Sequence, residues 1–112
     1  MFNIILSLIL SLVATGEAVS APAQRMASSA RLHLIEIREL GFMPQRALVS
    51  PGDTIVWINR DIVPHTVTSL EGIWSPQELD EGQSWEMVVA GDGTYHYFCE
   101  FHPEMEGLLA AH

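Results

Sequence analysis

From Arg31 onward the chain is built of short β-branched and aromatic runs cut by clusters of Gly, Pro and Asp, the pattern of an all-β sandwich or barrel. No internal repeat is present. Arg31 to Leu40 carries apolar side chains at 32, 34, 35 and 37, so its alternation slips phase between Leu34 and Ile35. The slip predicts a strand with a bulge, and fits a helix less well. Phe42-Met43-Pro44 then breaks the run. Ala47 to Val49 and Thr54 to Asn59 predict two strands flanking Ser50-Pro51-Gly52-Asp53, where Pro at the second turn position and Gly at the third suit a type II turn. His65 to Ser69 predicts a short strand and Leu70 to Gly82 a loop region. Ser84 to Val89 alternates with Trp85, Met87 and Val89 on one side. Ala90-Gly91-Asp92-Gly93 turns the chain into Thr94 to Cys99, where a period of two puts Tyr95, Tyr97 and Cys99 on one face and Thr94, His96 and Phe98 on the other. Gly107 to Ala111 suffices for one short closing strand.

The N-terminal run from Phe2 to Ala14 breaks this pattern. It is continuously apolar but short of the roughly 20 residues that span a bilayer, and has the length of a signal-peptide core. Small residues at Ala18 and Ser20, or at Ala21 and Ala23, supply cleavage positions. The predicted organisation is a leader over 1–20, with cleavage as late as 23, a frayed lead-in over 24–30 and one domain over 31–112. No Lys or Arg precedes the apolar run, so an uncleaved interfacial anchor is the alternative.

Composition narrows the function. The 112 residues hold 14 acidic and 5 basic side chains, for a formal charge of −9, and every basic one is Arg. Phosphate binding needs clustered cations, so neither nucleic acid nor an anionic membrane surface is an expected partner. Hydrophobic residues at 48% and charged residues at 17% provide for a core. A single Cys rules out an internal disulfide.

Four residues suggest chemistry: His65 after Pro64, then Cys99, His102 and Met105 in a Cys-x-x-His-x-x-Met spacing. Alone, the Cys is as readily a small buried hydrophobe or an intermolecular disulfide partner, Met105 is packing, and His65 is ambiguous. Together, one thiolate, two imidazoles and a weak thioether are the ligands of a blue-copper electron-transfer site, with the Met axial. A tight loop containing Pro103 turns three of these side chains toward one point, and His65 arrives from a strand distant in sequence. His33, His96 and His112 are expected to be solvated. Met87 belongs to core or rim, and Met43, expected in a loop, is the one substitute for the axial position.

Three segments carry a family resemblance: Pro51-Gly52-Asp53-Thr54-Ile55-Val56-Trp57-Ile58-Asn59, Pro64-His65, and Gly93-Thr94-Tyr95-His96-Tyr97-Phe98-Cys99-Glu100-Phe101-His102-Pro103-Glu104-Met105. From Arg31 to the C-terminus the chain resembles the blue copper proteins, or cupredoxins, and within them the amicyanin and plastocyanin-like group. The resemblance implies a Greek-key β-sandwich with one copper ion at one end, held by His65, Cys99, His102 and Met105. It also implies that Asn59 clamps the ligand loops near the Cys sulfur, and that Phe98, beside the Cys, is a candidate lateral contact for a second redox partner. Glu100, Glu104 and Glu106 depart from the apolar surface expected around the exposed His.

The implied function is that of an exported, periplasmic, monomeric carrier cycling between Cu(I) and Cu(II). Its redox partners would be proteins such as a c-type cytochrome and an upstream dehydrogenase, with no stable membrane association once the leader is removed. It is not expected to be an enzyme, since four protein ligands leave no open position for substrate. The alternative is a periplasmic protein that binds and delivers copper.

Overall fold

The computed structural model describes residues 29–112 together with Gly16. The predicted leader, its cleavage positions and the lead-in as far as Ser28 lie outside the described residues. Nine strands are described: β1 (Leu32–Arg38), β2 (Gly41–Met43), β3 (Arg46–Val49), β4 (Thr54–Asn59), β5 (His65–Ser69), β6 (Gln77–Leu79), β7 (Ser84–Val88), β8 (Gly93–Phe98) and β9 (Glu106–Ala111). They form a four-stranded sheet in the order β2-β1-β4-β7 and a five-stranded sheet in the order β3-β9-β8-β5-β6. The pairs β1/β4 and β3/β9 are parallel and the rest antiparallel. This is the all-β sandwich that the pattern predicts.

Three expectations change. No bulge interrupts β1, which pairs with β4 in unbroken register from Leu32↔Thr54 to Ile37↔Asn59. The phase slip is resolved by exposure instead: Ile35 and Ile37 are fully buried, while Leu32 and Leu34 stand on the outer face at 70% and 49% exposure. Phe42 and Met43 do not end the sheet but form β2, which folds back on β1 through Arg38-Glu39-Leu40-Gly41. Glu39 and Leu40 have φ of 53° and 58°, a two-residue hairpin turn of the kind usually made by Asn-Gly. The left-handed conformation costs an ordinary L-residue about 1–2 kcal/mol. Within the predicted loop over 70–82, Gln77 to Leu79 pairs with β5 and extends the sheet. The Ser50–Asp53 turn is as expected: the Asp53 amide donates to the Ser50 carbonyl at 3.0 Å and Gly52 supplies φ of 91°.

The core is aromatic where it supports the end of β8. Trp57 stacks on Trp85 with ring centroids 5.2 Å apart and meets Tyr97 edge-on at 5.4 Å, and Tyr97 meets Phe42 edge-on at 4.7 Å. Such pairs add about 0.5–1.5 kcal/mol each beyond the area they bury. Tyr97 lies across Gly107, its register partner on β9, so closely that a Cβ on Gly107 would overlap the Tyr97 ring.

At one end of the sandwich Asp53, 4% exposed, accepts the Arg31 amide at 2.9 Å, the Ser50 amide at 2.9 Å and the His33 ring at 2.8 Å. His33 is therefore not a solvated side chain. It closes a carboxylate that fastens the start of β1 to the turn before β4. The Arg31 amide, then the His33 ring and the Ser50 amide, hold the Asp53 carboxyl down to about 2 against the opposing effect of burial.

Two outcomes follow from these contacts. Gly107→Ala is expected to destabilise the fold by about 1–3 kcal/mol through overpacking, read as a lower midpoint in thermal unfolding. Asp53 stabilises the fold above its unfolded value of 3.8, and this contribution is lost as pH falls toward about 2. Unfolding free energy from denaturant titrations should drop across that window, and Asp53→Asn should be less stable at neutral pH and show a flatter acid limb.

Candidate metal centre

β5 begins with His65 and β8 runs out at Phe98, immediately before Cys99. His65 and Cys99 are both fully buried, and His102 is partly exposed on the loop that follows. One ligand atom from each lies within 4.8 Å of the others. Cys99 Sγ is 3.6 Å from His65 Nδ1, and the two imidazole centroids are 5.4 Å apart. His102 Nδ1 is buried without a hydrogen-bond partner. A buried polar atom left unpaired is costly, and a cation that accepts its lone pair removes that cost. Two imidazoles and a soft sulfur are donors that suit copper.

The loop is held shut by its own main chain. The Met105 amide donates to the His102 carbonyl at 2.8 Å, and the Cys99 amide donates to the Met105 carbonyl at 3.1 Å. Strand parity turns Cys99 inward beside Tyr97, as the alternation in 94–99 predicts. Met105 closes the loop with 3% exposure.

Around these residues lies a layer of hydrogen bonds that sequence reasoning largely missed. The Thr66 amide donates to Cys99 Sγ at 3.3 Å. The Thr66 hydroxyl accepts the Glu100 amide at 2.8 Å and pairs with the Thr68 hydroxyl at 2.9 Å. Asn59 is a clamp, but not at the sulfur: its Nδ2 donates to the Val63 and Leu79 carbonyls, each at 2.9 Å, and its Oδ1 accepts the Asp61 amide at 2.9 Å. It thereby fixes the 60–64 loop that leads into His65. Asp61 Oδ2 lies 2.7 Å from His65 Nε2. Burial would raise the Asp61 carboxyl, but the His65 ring and the Leu40 and Glu39 amides outweigh it and leave the group below its ordinary value. An ionised carboxylate only accepts, so Nε2 carries a ring proton, and in the neutral ring Nδ1 is the bare nitrogen facing Cys99. The only signal in the sequence was an acid four residues before a ligand candidate.

The remaining candidates lie elsewhere. His96 and His112 are exposed. Met43 is on β2 rather than in a loop, half-buried beside the same shallow groove as Met105. Phe98 is half-buried in a groove of about 560 Å³ on the outer face of the five-stranded sheet, together with Leu70, His96 and Leu108. On the loop that carries His102, Glu100, Phe101 and Glu104 are exposed; Leu40, which shares a shallow groove with Glu104, and Ile62, on the loop before His65, are exposed as well.

Thr66→Val should leave the main-chain bond to Cys99 Sγ in place while stranding the part-buried Glu100 amide. A loss of about 1–3 kcal/mol is expected, measured by chemical denaturation of the metal-free protein.

The chain is similar to known proteins over most of its length. The cupredoxin-like domain family matches residues 4–111. Amicyanin from Paracoccus denitrificans is 30% identical over 81 residues, covering 68% of this chain and 62% of the relative. The chain thus spans about three fifths of the length of that relative. Among solved structures, a reduced amicyanin variant superposes with a TM-score of 0.67 at 28% identity, covering 72% of this chain and 82% of the other. A purple cupredoxin from Nitrosopumilus maritimus superposes with a TM-score of 0.63 at 26% identity, covering 71% and 99%. The chain belongs to the cupredoxin-like family, and its cofactor is copper.

Proposed function

We propose that this protein is an exported single-copper electron carrier in which His65 Nδ1, Cys99 Sγ, His102 Nδ1 and Met105 hold the metal. The observation that carries the reading is the buried convergence of two imidazole nitrogens and a sulfur within 4.8 Å, with His102 Nδ1 lacking any other partner. Bound copper supplies a one-electron couple between Cu(I) and Cu(II).

The chain's own residues do the rest. His65 and Cys99 sit in rigid surroundings at 0% exposure, which keeps water out and holds the donors in place whichever oxidation state is present. His102, partly exposed, is the ligand nearest a docking partner. Four protein ligands leave no position for a substrate, which supports a carrier rather than an enzyme. Full burial of two ligands also weighs against delivery of copper, which requires exchangeable metal. Exposed Phe101 between Glu100 and Glu104 on the His102 loop, with exposed Leu40 and Ile62 on other loops, suits redox proteins with a basic rim, such as a c-type cytochrome, with an upstream dehydrogenase as donor. Export is supported by the apolar run Phe2 to Ala14 and the small residues after it.

Copper loading tests the reading. The metal-free protein titrated with Cu(II) should bind one equivalent and develop an intense visible thiolate-to-copper band. Cys99→Ala should lose both colour and redox response. Met105→Gln should keep the copper and change the potential, because a thioether is a weak donor beside a thiolate and two imidazoles and would tune the metal more than it holds it. A colourless protein at equimolar Cu(II) would refute the assignment.

A further inference from the structure

We propose that Asp61 is a positioning residue for the metal centre, linking His65 to the strained tip of the β1–β2 hairpin, presetting the imidazole and favouring oxidised copper. The inference rests on the copper reading above and concerns a residue outside the ligand set. One carboxylate serves both sides. Its Oδ1 accepts the Glu39 amide at 2.9 Å, and its Oδ2 accepts the Leu40 amide at 3.2 Å and the His65 Nε2–H at 2.7 Å.

Each side needs it. Glu39 and Leu40 are consecutive left-handed residues, neither of them Gly or Asn, and such strain persists only where the surroundings impose it. Their successive amides form a small anion-binding concavity, and Asp61 is the anion in it. His65 is fully buried, so without Asp61 its Nε2–H would be a buried donor with no partner.

Asp61 is itself anchored. Its amide donates to Asn59 Oδ1 at 2.9 Å, and the preceding Arg60 amide donates to the Ile37 carbonyl at 2.8 Å. The carboxylate is thus fixed between β1 and β4, with a turn on one side and a ligand ring on the other. Two consequences follow. The ring is oriented with Nδ1 toward Cys99 before any metal arrives, and a negative charge one imidazole away stabilises Cu(II) relative to Cu(I).

The full chain carrying Asp61→Asn or Asp61→Ala tests this. In the metal-free protein at neutral pH, nitrogen-15 spectra should show wild-type His65 as a single Nε2–H tautomer and Asp61→Ala as a mixture. Hydrogen exchange at the Glu39 and Leu40 amides should accelerate by about tenfold, the loss of roughly one hydrogen bond each. With copper bound, Asp61→Asn should raise the reduction potential, because it keeps a partner for the ring but removes the charge.

Unchanged tautomer and exchange in Asp61→Ala, or an unchanged or lower potential in Asp61→Asn, would overturn the proposal. If Asp61→Ala fails to fold, amide exchange and potential in Asp61→Asn decide. If the wild type takes up no copper, the electron-carrier reading fails, and the metal-free spectra still judge the link between Asp61 and His65.

Discussion

Two hydrogen bonds between the beginning of β5 and the end of β8 are the constraint on which the metal centre depends. The regular ladder between these strands is limited to Thr68↔Phe98 and Ser69↔Tyr97 and stops short of both His65 and Cys99. Beyond it the Thr66 amide reaches Cys99 Sγ, and the Thr66 hydroxyl takes the Glu100 amide. Side-chain atoms thus replace the missing ladder bonds. The strands are held close enough for an imidazole and a thiol to meet, yet not paired through the space between them. A continued ladder would fill that space with backbone, and an unbridged gap would leave buried amides unpaired.

The platform beneath is set by Tyr97. Its ring covers Gly107, meets Phe42 and Trp57 edge-on and lies two residues before Cys99, which directly follows the strand. Close packing of this kind permits little adjustment, so the sulfur inherits a fixed height and direction from the core. The loop from Cys99 to Met105 needs only its two internal main-chain bonds to bring His102 over the same point. Rigidity in the fold becomes rigidity in the placement of His65, Cys99 and His102, which is what a one-electron site would need if its geometry is to serve both oxidation states.

Two carboxylates flank β4 and are used alike. Asp53, just before it, takes the Arg31 and Ser50 amides and the His33 ring. Asp61, two residues after it, takes the Glu39 and Leu40 amides and the His65 ring. Each ties an end of the parallel β1/β4 pair to a turn, where strands that share no hairpin have no direct connection to hold them in register. One fastening is purely structural. The other holds a ring whose second nitrogen faces the sulfur, so the same device that closes the fold also orients an imidazole of the candidate site.

Much of this was legible in the linear sequence, where the physics is local. Period-two alternation placed Tyr97 and Cys99 on one inward face and His96 on the other, because side-chain direction along a strand depends on nothing beyond the strand. Pro51-Gly52 specified its turn through the dihedral preferences of those two residues alone. The types and spacing of Cys99, His102 and Met105 with a distant His65 identified the metal chemistry, because donor softness is a property of the residues themselves. What depends on neighbours distant in the chain was not legible. Whether the phase slip at Leu34 and Ile35 is a bulge or an exposed leucine depends on the register with β4. Whether Gln77 to Leu79 is a loop or a strand depends on β5 offering an edge. Thr66, Asp61 and His33 looked like ordinary polar residues, since a hydroxyl, a carboxylate or an imidazole acquires its role only from the partner that folding brings to it.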